Sequence, residues 1–240
     1  MGHDPRVASR EHVGRAPLPA PADLGRWRYA FERMRRRLVL VGSPRAEGEP
    51  SSDLEERFIA RCGELEAPSV LELGSLQSVP GRSTLHRNWV PHAAEFLGTD
   101  IQDGADVDVV ADLHTLTDVV GSERFDVILS CSTFEHLKYP TVAAHEVMKA
   151  LKVGGVLYVQ THQSFPLHGY PNDYFRYSQD ALASLFGTQM GFEVVATNYD
   201  FPVRLFARRV QATQHMPAFL NTTLWGEKRA PTPDEYRYEL

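Results

Sequence analysis

A chain of 240 residues, 42% hydrophobic and 23% charged, has the size and composition of one α/β domain carrying an extension. A net charge of −6 argues against a nucleic-acid partner, and no apolar run has the length of a membrane span or the form of a secretory leader. Two cysteines, Cys62 and Cys131, make no disulfide framework, so a reducing cytoplasm is the expected setting.

Residues 1–22 are rich in Pro, Gly and charge and read as an arm. Trp27 to Val41 has helical periodicity, with Trp27, Phe31, Met34 and Leu38 near one face, and Gly42 to Ser52 reads as a linker. The division expected is an N-terminal arm and helix over 1–50, serving as a lid or a homodimer surface, and a catalytic domain over 51–240. Ser52-Asp53 offers an N-cap for a helix running to about Cys62. Strands and helices then alternate, which predicts a parallel sheet with crossover helices. Strands are expected near 69–73, 95–99, 107–111, 125–130 and 154–161, with further strands at Glu193–Thr197 and Thr222–Glu227. Helices are expected over 141–151, closed by Gly154-Gly155, over 178–188 with Ser178 as cap, and over 203–212.

The first strand ends in Glu72 and Gly74, the second in Asp100, and the third leads to Asp112. Carboxylates and close-approaching backbone at the carboxyl ends of parallel strands suit a nucleoside ligand. Gly74 is followed by Ser75-Leu76-Gln77-Ser78-Val79-Pro80-Gly81, so the glycine turn that cradles a pyrophosphate is missing. That points to a phosphate-free, cationic nucleoside, S-adenosylmethionine. Asp100 is placed to accept from the ribose hydroxyls. Asp112 is placed for the adenine amine and the Leu113 amide for a ring nitrogen. Ser75, Ile101 and Ser130 complete the expected cofactor contacts.

The phrases VLELGS, FLGTDIQDGADVDVVADLHTL, FDVILSCSTFEHL and ALKVGGVLYVQTHQSFPLHGYPNDYFRYS together resemble a class I S-adenosylmethionine-dependent methyltransferase. The last phrase is similar to a bacterial subgroup found with glycan and secondary-metabolite biosynthesis. The resemblance spans about residues 68–190. It implies a Rossmann-like three-layer α/β sandwich whose seven-stranded, mostly parallel sheet has a reversed last strand. It also carries Asp100 over as the ribose ligand and Asp112 as the adenine-side acid. Two departures stand out: the later glycines after Gly74 are absent, and too little chain separates Asp100 from the third strand for a full helix.

A hydroxyl acceptor needs a base, and two segments offer one. The loop after the fourth strand carries His136. The loop after the fifth carries His162, His168 and Asp173 as candidate bases, with Tyr170, Asn172, Tyr174 and Arg176 as candidate acceptor contacts. The spacing of His162, His168 and Asp173 is not that of a metal motif, so no metal is expected. The function expected is methylation of a hydroxyl on a sugar or sugar-bearing small molecule. The competing readings are N-methylation, a nicotinamide-dependent dehydrogenase or epimerase, and a non-catalytic S-adenosylmethionine-binding protein.

Overall fold

The computed structural model describes residues 53–205 and 218–236. The expected N-terminal helix and linker lie outside them, as does nearly all of the helix expected over 203–212. Of the two units into which the chain divides, Met1–Glu47 and Gly48–Leu240, only the second contains described residues.

Helix α1 (Asp53–Cys62) buries Leu54, Phe58 and Cys62 at four-residue spacing, with Asp53, Glu55 and Glu56 at its start and Arg61 in its last turn. Seven strands follow: β1 (Ser69–Leu73), β2 (Glu95–Asp100), β3 (Val109–Val110), β4 (Phe125–Cys131), β5 (Leu151–His162), β6 (Phe192–Val203) and β7 (Ala218–Lys228). Between them run helices α2 (Leu116–Val120), α3 (Pro140–Ala150) and α4 (Gln179–Ala183). Ser178 caps α4, its side chain accepting from the Ala181 amide, and Pro140 opens α3, where its missing N–H costs nothing.

The sheet order is β3-β2-β1-β4-β5-β7-β6. Pairings from β3 through β5 are parallel, while β7 runs antiparallel to both β5 and β6. This is the expected seven-stranded sheet with its reversed last strand. Alternation along the central strands divides the core into two. Val70, Val127, Leu129, Val156 and Tyr158 pack with Phe58 of α1, and Leu71, Leu73, Ile128, Leu157 and Val159 pack with Val147 and Met148 of α3. No helix among the described residues is long and apolar enough to cross a membrane.

Two expectations about elements change. Helix α3 ends at Ala150, and Gly154 and Gly155 lie inside β5 instead of closing a helix. Pairing runs Phe125↔Leu151 and then Val127↔Val156, so the glycines take up the extra residues of a bulge, with Gly154 at φ +86°. The end of α3 is capped from afar, where the buried Lys228 ammonium donates to the carbonyls of Met148 at 2.8 Å and Leu151 at 2.7 Å. The third strand has two residues rather than five. Asp108 leaves the ladder to accept from the Gly98 amide at 2.8 Å.

Candidate active site

The carboxyl ends of β1, β2 and β4 make a shallow platform. At its centre Gly74 (φ +73°) donates to the Thr99 carbonyl at 2.7 Å. A Cβ there would stand 2.1 Å from Thr133 Oγ1, so a bare backbone is required. Thr133 in turn donates to the Leu73 carbonyl at 3.1 Å, which ties the turn after β4 to the end of β1. The Glu72 carboxylate is buried. It accepts from the His86 amide at 2.8 Å and lies 2.7 Å from His86 Nδ1, so it anchors the loop that returns from Gly74 instead of facing a ligand directly.

Asp100 is half-buried, receiving the Gln102 amide at 3.0 Å and the Leu76 amide at 3.4 Å, beside the exposed side chain of Ile101. Asp112 accepts from both the amide and the ring of His114, at 2.9 and 2.6 Å. That amide bond, assisted by the ring, holds the Asp112 carboxyl below its ordinary range. Ser75 and Ser130 are buried with hydroxyl oxygens that meet no partner within the protein. Buried polar atoms are almost always paired, so two orphans at adjacent strand ends point to an outside ligand.

Next to this platform, a turn at Phe134–His136 and the loop after β5 build a second feature. Glu135 is fully buried, and its backbone carbonyl accepts from the amides of Tyr174 and Phe175, at 2.9 and 3.1 Å. Its Oε2 accepts from Thr161 Oγ1 at 2.7 Å. Around Oε1 stand three imidazoles, with His162 Nε2 at 3.1 Å, His168 Nε2 at 3.7 Å and His136 Nε2 at 3.8 Å. His162 is buried, stacked on Phe165 with ring centroids 4.0 Å apart, and its Nδ1 is 3.0 Å from Asn221 Oδ1. Burial holds the His162 imidazole below its ordinary value despite the carboxylate beside it, which keeps the ring neutral near pH 7. Burial also pushes the Cys131 thiol far up, which removes it as a nucleophile.

Sequence comparison adds one match. Residues 80–159 match the family model of a methyltransferase domain. No curated protein matches in sequence. Among solved structures, a Bacillus halodurans protein superposes with a TM-score of 0.53 at 12% identity, over 75% of this chain and 100% of its own. The Burkholderia thailandensis 1,6-didemethyltoxoflavin-N1-methyltransferase, with S-adenosylhomocysteine bound, gives 0.51 at 15% identity, over 90% of this chain and 93% of its own. The chain spans about half the length, 53%, of the CurJ carbon methyltransferase structure, at 16% identity, 74% coverage of this chain and a TM-score of 0.49. The fold is the one these structures share, and the methyltransferase-domain match covers one third of the chain.

The residues of the platform fit S-adenosylmethionine, whose product S-adenosylhomocysteine is bound in the Burkholderia thailandensis structure. The orphaned hydroxyls of Ser75 and Ser130, the bare turn at Gly74, the acceptor oxygens of Asp100 and the exposed Ile101 lie at strand ends that meet, and Asp112 and Leu113 follow β3. They are the groups that would hold it. One candidate base and one candidate acceptor contact have other work. Asp173 and Arg176 form a two-pronged pair at 2.5 and 2.9 Å, and the guanidinium also donates to the carbonyls of Phe165, Pro166 and Phe175. Hydrogen bonds from Arg176 hold the Asp173 carboxyl far below its ordinary range, so Asp173 takes up no proton near neutrality. The pair staples the loop, and Arg176 has no free edge for an acceptor. Tyr170, Asn172 and Tyr174 are exposed at the loop rim, with Tyr174 donating to Asn172 Oδ1 at 3.3 Å.

Glu135 was absent from the residues expected at the site. Its signal was the Thr133-Phe134-Glu135-His136 run directly after β4, where a strand-end acid follows the threonine that packs on Gly74.

Proposed function

We propose that this methyltransferase methylates a hydroxyl group of a cytoplasmic small molecule, a sugar or a sugar-bearing natural product, and that residues 51–240 form its catalytic domain. The observation that supports oxygen as the target is the ring of imidazoles around Glu135. An amine need only be neutral and well placed, whereas a hydroxyl must lose its proton as the new bond forms. His168 and His136, with side chains 29% and 28% exposed, are the members of the cluster open to solvent, and His168 takes that proton while the Glu135 carboxylate stabilises the resulting charge. S-adenosylmethionine, when bound, would supply an activated methyl group whose C–S bond breaks as the hydroxyl oxygen forms the new C–O bond in line with it, leaving a neutral thioether. The exposed rings of Phe165, Tyr170 and Tyr174 beside the cluster suit the apolar face of a sugar ring. The likeness of PNDYFRYS to glycan-associated enzymes supports the same class by analogy.

The test is methyl transfer from labelled cofactor to a panel of sugar nucleotides and glycosides, with the methylated atom located by mass spectrometry and NMR. Methyl on nitrogen overturns the reading. In H168A, turnover is expected to fall at least ~100-fold while S-adenosylhomocysteine affinity stays within about twofold. In D100A, that affinity is expected to fall ~10-fold or more, because ribose hydroxyls lose a charged acceptor. Full turnover in H168A removes His168 from the chemistry.

A further inference from the structure

We infer that the Glu135 carboxylate and the Nε2 atoms of His136 and His168 form a binding site for one divalent transition-metal ion. These three ligand atoms lie within 4.8 Å of one another, with Glu135 Oε1 at 3.8 Å from His136 Nε2 and 3.7 Å from His168 Nε2.

The tautomers come first. His136 Nδ1 lies 2.7 Å from the Asn172 carbonyl oxygen, and His168 Nδ1 lies 3.1 Å from the Pro166 carbonyl oxygen. A backbone carbonyl only accepts, so each Nδ1 carries a proton and each ring aims its Nε2 toward Glu135, free to act as a ligand. Bonding of the far ring nitrogen to a carbonyl is the arrangement that readies an imidazole for a metal. The carboxylate is prepared as well. Thr161 holds Oε2, leaving Oε1 buried and without a hydrogen bond in proper geometry, although His162 Nε2 comes to 3.1 Å. Three electron-rich atoms thus face one another with no donor between two of them and the third.

Distance separates a metal from the simpler remedy, a proton on each ring. An N–H···O bond spans about 2.7–3.2 Å between heavy atoms, so separations of 3.7 and 3.8 Å are too long for imidazolium–carboxylate hydrogen bonds. Ligand atoms at about 2.0–2.1 Å from a shared ion, by contrast, can lie up to about 4.2 Å apart. Both separations from the carboxylate fall inside that limit. The two imidazole nitrogens, within 4.8 Å of one another, need only draw together by a few tenths of an ångström to share the ion. Two imidazoles and one carboxylate form a borderline donor set that suits zinc, cobalt, iron, nickel or manganese better than magnesium or calcium. The sequence hides this set because its members come from two loops, and the absence of a tight ligand motif argued against a metal. Gly169 (φ +60°) brings the loops together, since a Cβ there would stand 2.5 Å from the His136 ring.

The role of the ion, though not its binding, rests on the methyl-transfer reading above. Three protein ligands leave coordination positions open, where an acceptor hydroxyl would bind with its acidity raised. With the ion in place His168 Nε2 is a ligand, so water takes the proton that His168 takes when the ion is absent. Its oxygen then forms the new C–O bond as the C–S bond breaks.

The experiment uses the full chain, freed of any affinity tag and stripped with a chelator, titrated with Co²⁺ and with Zn²⁺ by calorimetry. Cobalt binding is also followed by visible d–d absorption. One equivalent is expected to bind, with a cobalt spectrum of low coordination number. Affinity is expected to fall at least tenfold in H136A, H168A and E135Q, whose thermal unfolding is compared with the parent. E135Q keeps the Thr161 contact and so guards against loss through misfolding. Absence of saturable binding, or equal affinity in all three folded variants, overturns the site. S-adenosylhomocysteine binding on the same samples separates the two readings. Cobalt bound without S-adenosylhomocysteine upholds the ion site and overturns the cofactor platform; S-adenosylhomocysteine bound without cobalt does the reverse.

Discussion

Gly74 shows how much of the platform hangs on one missing side chain. Its φ of +73° lies in the left-handed region, and its Cβ position is taken by Thr133 Oγ1 at 2.1 Å. Alanine there pays about 1–2 kcal/mol for backbone conformation and about 1–3 kcal/mol for overpacking. G74A is therefore expected to lose about 2–5 kcal/mol in denaturant unfolding, with weakened S-adenosylhomocysteine binding. T133A added to G74A removes the clash and leaves the backbone cost, so the pair should recover roughly half of the loss. Equal stability of G74A and the parent would mean that the turn is looser than its geometry indicates. The sequence exposed this position plainly, because a glycine after a buried acidic strand end has few other uses. Glu135 was harder to see. An acid followed by a histidine at a turn has many ordinary roles, and only the fold brings His162 and His168 to the same oxygen. Asp173, expected as a candidate base, is engaged within its own loop for a related reason. Its partner three residues on is Arg176, a candidate acceptor contact by sequence, whose guanidinium is taken up by Asp173 and the loop's own carbonyls.

Among the elements, strand identity followed from apolar runs, whereas element ends followed from distant contacts. The Gly154-Gly155 pair looks like a helix stop when read locally, but the closing group of α3 is Lys228, 77 residues beyond Leu151 in the chain. Buried lysines need such partners: burial depresses the Lys228 ammonium, the Glu123 carboxylate 3.7 Å away opposes that shift, and the two helix-end carbonyls accept its hydrogen bonds. The docking of α2 onto α3 has its own polar clasp. Glu146 of α3 accepts from the Thr117 amide at 2.9 Å and from Lys149 Nζ at 2.7 Å, and it also bonds the Thr117 hydroxyl. Burial alone would raise its carboxyl, but the hydrogen bonds from Lys149 and Thr117 outweigh that and bring it below the ordinary value. The folded value lies below the unfolded one, so the stabilisation is complete above about pH 4.3, the unfolded value, and is lost as pH falls through the folded value. E146Q is expected to cost about 1–2 kcal/mol at pH 7 and to show a shallower loss of stability than the parent between pH 5 and about 3. Parallel pH profiles for the two proteins would show that the clasp contributes no such linkage.

At the scale of the whole molecule, the reversed strand is the part of the fold that propensity could not position. Thr222–Glu227 reads as a strand from its composition, yet its place between β5 and β6 depends on the resemblance and not on any local pattern. The observed β7 is longer than the run that announces it, because Ala218 to Asn221 gain ladder partners on β6 that sequence alone does not reveal. Its insertion joins β6 to the rest of the sheet: among the described strands β6 pairs only with β7, while β7 pairs also with β5 from Val156↔Glu227 to His162↔Asn221. Asn221, on that same strand, faces His162 Nδ1, so β7 also orders the histidine beside Glu135. A chain ending at residue 217 is therefore expected to lose the order of β6 and of the imidazole cluster together, because β5 is left as an open edge whose amides have no partner. Circular dichroism should show no cooperative thermal transition for this truncated chain. A synthetic peptide of residues 218–240 supplied in excess should restore one by re-entering the sheet between β5 and β6. Isotope-edited infrared spectra of a labelled peptide would report antiparallel pairing on re-entry. A cooperative transition in the truncated chain without peptide would show that β1, β2, β4 and β5 form a self-sufficient sheet, with β6 and β7 serving the acceptor side alone.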